Sequence, residues 1–336
     1  MLLQDLDTLN FSGCISVRQN DRILIENAYG YADWPNQIPN TTQTKFQTAS
    51  AGKVFVATGI LQMVERGALR LGDPIGMLLP ASLLGSMDPN VTVEQLLTHT
   101  SGVPDYFDET VLKDYQELWE DFPNYKIRTN NDLFPLFHQK SMIYCPGTRF
   151  QYNNSGYVIL AAIMEQLEGT PFDKTLQKYI FEPCGMKNTG YYELDMLPAG
   201  CANGYLYDEK RQQWRTNIFC VDAKGTGAGG AYTTVGDIAL FWRGLLEGTL
   251  LSASMCAEMF RSHSGNGQDP EEGYYGYGVW VICWKGKEIP YFQGCDPGIS
   301  FFSEYEPVSR TLSILVSNRG NNVWRIMRKI RKQLYP

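Results

Sequence analysis

The sequence predicts an α+β fold in which segments from both chain ends build a sheet around a mainly helical middle. Three observations lead there. Strand-like runs occupy the first thirty residues and the last sixty, the intervening stretch carries several helix starts, and that stretch is repeatedly broken by proline and glycine. The simplest division places residues 1–72 and 272–336 in one discontinuous α/β domain and residues 73–271 in a mainly helical insertion.

Residues 13–19 and 22–29 read as two strands around a tight turn at Asn20 and Asp21. From Ser50 the run AGKVFVATGILQMVERG is apolar on nearly every side and stops at Gly67, the pattern of a core helix with a glycine cap. Thr92 and Gln95 form a capping box before EQLLTH. Ser155 is placed to cap GYVILAAIMEQLEG, Thr170 precedes Pro171 at a first helical position, and Thr234 is placed to cap VGDIALFWRGLLEG. Residues 107–145 are aromatic and irregular and are assigned to no element. Strand character returns at 275–284, 299–305 and 310–318. The chain closes with a helix whose Val323, Trp324, Met327, Ile330 and Leu334 share one face.

Composition narrows the function. The net charge of -7 over 336 residues argues against a nucleic-acid partner, which would select a concentrated basic face. No stretch stays apolar long enough to cross a bilayer, and the first residues lack a basic region followed by an apolar one. If Met1 is the native start, a cytoplasmic protein is expected. Eight dispersed cysteines without a CxxC pair fit reduced thiols, and three histidines without ligand spacing predict no metal site.

Ser50 and Lys53 stand three apart at the start of a helix, an S-x-x-K spacing that puts both on one face. A serine hydroxyl needs a neighbouring base to become a nucleophile, and the positive end of the helix favours charge developing beside it. Alone the motif is common, but the apolar surroundings of Lys53 disfavour a merely solvated lysine. Tyr152 and Asn154 form a Y-x-N motif between the turn PGTRF and a capped helix, on a loop anchored at both sides.

Taken together, SAGK inside FQTASAGKVFVATGILQMVERGALRLGDPI, then LLTHTSGVPD, FQYNNSGY, GGAYTTVGDIALFWRGLL, YGYGVW and GCDPGIS resemble the serine β-lactamase family in its class C-like branch. That branch contains penicillin-binding D-alanyl-D-alanine carboxypeptidases and esterases. The resemblance spans essentially the whole chain and implies an antiparallel sheet flanked by terminal helices. It implies Ser50 as nucleophile, Lys53 and Tyr152 as the pair that handles its proton, and Asn154 as a polar group near the substrate or Lys53. It also implies an oxyanion hole from the backbone N–H groups of Ser50 and Cys295, the residue after Gly294. Which member of the Lys53–Tyr152 pair takes the proton stays open.

The third motif departs from the family pattern. Where a lysine or histidine, a small residue and glycine are usual, the chain has Phe292, Gln293 and Gly294. The missing cation weakens the expectation for carboxylate-bearing substrates such as β-lactams and peptides, with Gln293 a neutral donor and Arg319 the candidate replacement by sequence. Two further motifs are read as structural: Gly225, Gly227 and Gly230 match a dinucleotide fingerprint but sit in no βαβ unit, and the basic residues of the last helix complement its dipole. His99 is read as a structural histidine. The expectation is a cofactor-independent serine hydrolase acting on a small ester, amide or β-lactam; the alternative is a slow or non-catalytic binding protein on the same fold.

Overall fold

The computed structural model describes residues 10–108, 110–112, 115–265 and 273–335; the opening segment and the domain boundary expected at 271–272 lie outside these. Its centre is a seven-stranded antiparallel sheet. The strands are β1 (Gly13–Gln19), β2 (Arg22–Tyr29), β3 (Tyr274–Tyr275), β4 (Trp280–Trp284), β5 (Lys287–Asp296), β6 (Ile299–Glu306) and β7 (Thr311–Ser317). Their order is β2-β1-β7-β6-β5-β4-β3, so the N-terminal hairpin joins the C-terminal strands through β1 against β7. Asn20 and Asp21 both take left-handed φ, 47° and 64°, which matches the twist of a two-residue hairpin turn.

Alternation along the strands gives the sheet two apolar faces. On one face Ile15, Val17, Ile289, Phe302 and Leu315 pack against the last helix, α7 (Val323–Leu334), through Val323, Ile326, Met327 and Ile330. On the other, Cys14, Phe292, Phe301, Ile314 and Val316 join the larger core of the helical body. That body contains α1 (Lys53–Glu65), α2 (Val93–Leu97), α3 (Asn154–Glu168), α4 (Phe172–Leu176), α5 (Val235–Leu246) and α6 (Ala253–Phe260). Most of α1 and the first eleven residues of α3 are buried, as their all-round apolar sequences require.

Most helix starts fall where their caps predict. Thr92 and Gln95 form the reciprocal capping box of α2, and the Thr234 side chain accepts the Asp237 N–H at the start of α5. Two expectations are corrected. α3 is capped by Asn153, whose Oδ1 accepts the Gly156 N–H at 2.8 Å, and Ser155 lies inside the first turn. Pro171 flanks α4, which begins at Phe172. Strand β5 had no counterpart in the sequence reading, and the single strand expected at 275–284 is two, β3 and β4.

Residues 115–136 form a series of short 3₁₀ turns whose rings pack on the core, which explains why no period was readable there. Arg331 of the basic last helix turns inward, where its Nε donates to Glu304 Oε2 at 2.8 Å beneath the sheet. It serves a buried ion pair as well as the helix end. Among the described residues no helix is long and apolar enough to cross a membrane.

Candidate active site

Ser50 sits in a 3₁₀ turn, Ala49–Gly52, that runs directly into α1. Ala49 before it holds φ 48°, a left-handed conformation that costs a non-glycine residue energy and is kept by its surroundings. Two glycines make those surroundings. A Cβ on Gly294 of β5 would lie 2.3 Å from the Thr48 carbonyl and 2.7 Å from the Ser50 nitrogen, and one on Gly229 would lie 2.3 Å from the Ala49 carbonyl. The nucleophile turn is thus wedged between two backbones that only glycine allows so close.

One turn along, Lys53 is buried and donates from Nζ to Ser50 Oγ at 3.0 Å, Asn154 Oδ1 at 2.8 Å and the Ala228 carbonyl at 2.6 Å. These three acceptors are neutral and arrive from the nucleophile turn, the start of α3 and the 225–230 loop. The Tyr152 ring lies 5.0 Å from Lys53 Nζ and stacks on Trp280 at 6.1 Å between centroids. The glycine run that matched a dinucleotide fingerprint therefore has a different task, since it presents Ala228 to Lys53 and lets Gly229 approach Ser50.

Asn154 is oriented from behind by Asp105, a residue the sequence reading did not single out. The buried Asp105 carboxylate accepts the N–H groups of Asn154 at 2.8 Å and Ser155 at 3.1 Å, and Asn154 Nδ2 faces it at 3.4 Å and the Phe107 carbonyl at 3.3 Å. With Nδ2 so directed, Oδ1 points at Lys53. Burial pushes the Asp105 carboxyl up to about 6 despite these donors. His99 is buried under Tyr152, 4.4 Å between ring centres, and its Nδ1 accepts the Asn153 N–H at 3.1 Å. Burial, then the charge of Lys53, hold its pKa well below the usual imidazole value, so it supports the loop as a neutral ring.

Ser50, Tyr152, Asn154, Gln293, Gly294 and Cys295 line one cavity of about 750 Å³, a size suited to a small molecule. Gln293 is held there by Trp324 of α7, whose Nε1 donates to its Oε1 at 2.5 Å. Phe292 and Arg319 are not part of the cavity wall. Phe292 points to the opposite side of β5, buried against Trp242 at 5.2 Å and Phe301 at 6.2 Å. The expected substitute cation is elsewhere too: the Arg319 guanidinium stacks on Trp214 at 3.7 Å and Trp34 at 4.6 Å, and Nη1 donates to Asn10 Oδ1. Two aromatic faces hold it as a structural cation.

This fold and this serine–lysine arrangement are those of a serine β-lactamase-like protein, and the comparisons give the same family. The Beta-lactamase family model matches residues 10–328, so the chain belongs to the beta-lactamase family. It is similar to the putative penicillin-binding protein PbpX of Bacillus subtilis (strain 168), 28% identical over 318 residues that cover 94% of this chain and 73% of that one. Teichoic acid D-alanine hydrolase of Staphylococcus aureus is 25% identical over 268 residues, 80% of this chain and 62% of that protein. Among solved structures, a penicillin binding protein from Bacillus halodurans superposes with a TM-score of 0.94 at 34% identity, covering 99% of this chain and all of that one.

Proposed function

We propose that the chain is a serine hydrolase that forms an acyl-enzyme on Ser50 with a small ester or amide. The observation that carries this reading is the buried Lys53 Nζ 3.0 Å from the Oγ of Ser50, which lines a cavity open to small molecules. In the proposed reaction Ser50 Oγ bonds to the substrate carbonyl carbon while its proton passes to whichever of Lys53 and Tyr152 is deprotonated, a neutral amine or a phenolate. The backbone N–H groups of Ser50 and Cys295 hold the oxyanion, which the packing of Gly294 on the Ser50 turn supports by bringing β5 beside it. Collapse releases the alcohol or amine with the returned proton, and water then attacks the acyl carbon to free Ser50. Asn154 acts by holding Lys53 in place.

The similarity to a teichoic acid D-alanine hydrolase supports the hydrolase reading. Labelling with an active-site-directed fluorophosphonate tests the reading. Wild-type protein is expected to label and Ser50→Ala to stay unlabelled while folding normally; equal labelling of both would remove Ser50 from its role.

A further inference from the structure

Gln293 stands where strand β5 borders the Ser50 cavity. Strand β4 pairs with β5 only as far as Tyr291, and the residues beyond it pair with β6, with Gln293, Gly294 and Cys295 lining the cavity. Alternation along the strand sends Phe292 into the core and Gln293 to the cavity side. The Gln293 amide is held in one orientation there. Trp324, in the first turn of α7, lines the same cavity and donates from Nε1 to Gln293 Oε1 at 2.5 Å. Its neighbours Val323, Ile326 and Met327 are buried against the sheet, so a rigid helix carries the indole. An indole nitrogen only donates, so the amide oxygen is the atom that faces Trp324 and the amide nitrogen is turned away from it. Among the described residues nothing accepts from Gln293 Nε2.

We propose that Trp324 is a positioning residue that turns the two Nε2 hydrogens of Gln293 toward the substrate, and that the substrate carries a second neutral acceptor, an amide carbonyl, besides the carbonyl that reacts. The assignment rests on the serine-hydrolase reading of Ser50 and names a feature of its substrate. Gln293 and Cys295, whose N–H is assigned to the oxyanion, are two residues apart on one strand, about 7 Å. One ligand with two carbonyls a few bonds apart therefore reaches both. A carbonyl oxygen suits an amide donor because neither group brings a charge that must be desolvated, whereas a carboxylate would gain no compensating charge from Gln293. Without the Trp324 N–H the amide is free to turn over and present Oε1, which repels the same carbonyl. Gln293 binds and takes no proton, so the acyl transfer on Ser50 is unchanged.

The test uses the full chain and two pairs of esters in which an acetamido group is matched in shape by isobutyl. Phenyl N-acetylglycinate is compared with phenyl 4-methylpentanoate, and 2-acetamidoethyl butyrate with 4-methylpentyl butyrate, in a pH-stat at pH 7. Each kcat/KM is divided by that ester's rate with hydroxide. The first pair places the acceptor on the acyl side and the second on the leaving side. A neutral hydrogen bond of ordinary strength corresponds to about two- to tenfold. Wild-type protein is expected to favour the acetamido ester at least threefold in one pair or both. Gln293→Met is expected to cut that preference at least threefold and Trp324→Phe, which keeps a ring without the N–H, at least twofold. The double variant should fall no further than Gln293→Met, because Trp324 acts through Gln293. No preference in either pair overturns the proposal with wild-type protein alone, whatever the variants' stability. A preference that survives Gln293→Met, or one lost there but intact in Trp324→Phe, also overturns it, as does a loss shared equally by both esters of each pair. Failure of all four esters while p-nitrophenyl butyrate still acylates Ser50 overturns this proposal alone. Absence of any Ser50 adduct removes the hydrolase reading with it.

Discussion

Replacing Asn154 with alanine removes one of the acceptors described for Lys53 Nζ. The lost contact is the 2.8 Å bond to Oδ1, made in a buried setting and to a charged donor. Hydrogen bonds of that kind contribute about 1.5–3 kcal/mol. At 1.36 kcal/mol per decade this is roughly 10- to 150-fold in the acylation rate, if Lys53 must hold its place while Ser50 attacks. The aspartate variant separates acceptor loss from simple damage. Asn154→Asp keeps an acceptor for Lys53 but turns a carboxylate toward Asp105, where Nδ2 now stands 3.4 Å from Oδ2, so it is expected to fold less stably than Asn154→Ala at pH 7. The assay is stopped-flow acylation by p-nitrophenyl butyrate, with thermal melts of each variant. Acylation by Asn154→Ala within threefold of wild type, at wild-type stability and with Lys53→Ala inactive, would refute the assignment of Asn154 as the anchor of Lys53.

Four further outcomes are expected. Lys53→Ala and Tyr152→Phe each lower acylation more than ~100-fold, and the double variant falls well short of the product because the two share one proton transfer; additive losses would show that they act separately. Gly294→Ala, whose new methyl would sit 2.3 Å from the Thr48 carbonyl, must move β5 away from the Ser50 turn, and a shift approaching 1 Å there costs on the order of 100-fold in kcat. Phe292→His destabilises by about 2–4 kcal/mol without raising β-lactam turnover, since its ring is buried against Trp242 outside the cavity; a gain in penicillin hydrolysis would contradict that placement. Asp105 binds its proton more tightly when folded, moving from 3.8 to about 6, so its stabilising contribution is full below pH 3.8 and is lost as pH rises through about 6. Urea melts should accordingly show the stability advantage of wild type over Asp105→Ala shrinking by about 2–3 kcal/mol from pH 4 to pH 7, and a constant or growing gap would contradict it.

What the sequence made legible follows the range of the interactions involved. The turn of the β1–β2 hairpin and the caps of α2 and α5 depend on residues three apart, and these were readable directly. Strand β5 was not, because Pro290 and Gly294 interrupt it with residues that ordinarily weaken a strand; both are accommodated by its neighbours and by the close packing of the Ser50 turn. At the site, Ser50 and Lys53 were legible as one helical turn, and Tyr152 with Asn154 as a loop motif. Ala228 was hidden within a glycine run, and its contact with Lys53 joins residues 175 positions apart. Asp105 likewise acts only once the chain has folded around it, and no local pattern marks a buried carboxylate. The side of the strand decided the fate of Phe292, since a sequence motif fixes its neighbours along the chain but not which face of the sheet receives it.

The central claim is a covalent acyl group on Ser50. Wild-type protein mixed with p-nitrophenyl butyrate, quenched in acid during the first turnovers and measured intact by mass spectrometry, is expected to gain one butyryl mass on the peptide containing Ser50, with none on Ser50→Ala. An adduct that persists in Ser50→Ala, or one that maps to the exposed Cys295 in the same cavity, would contradict the account.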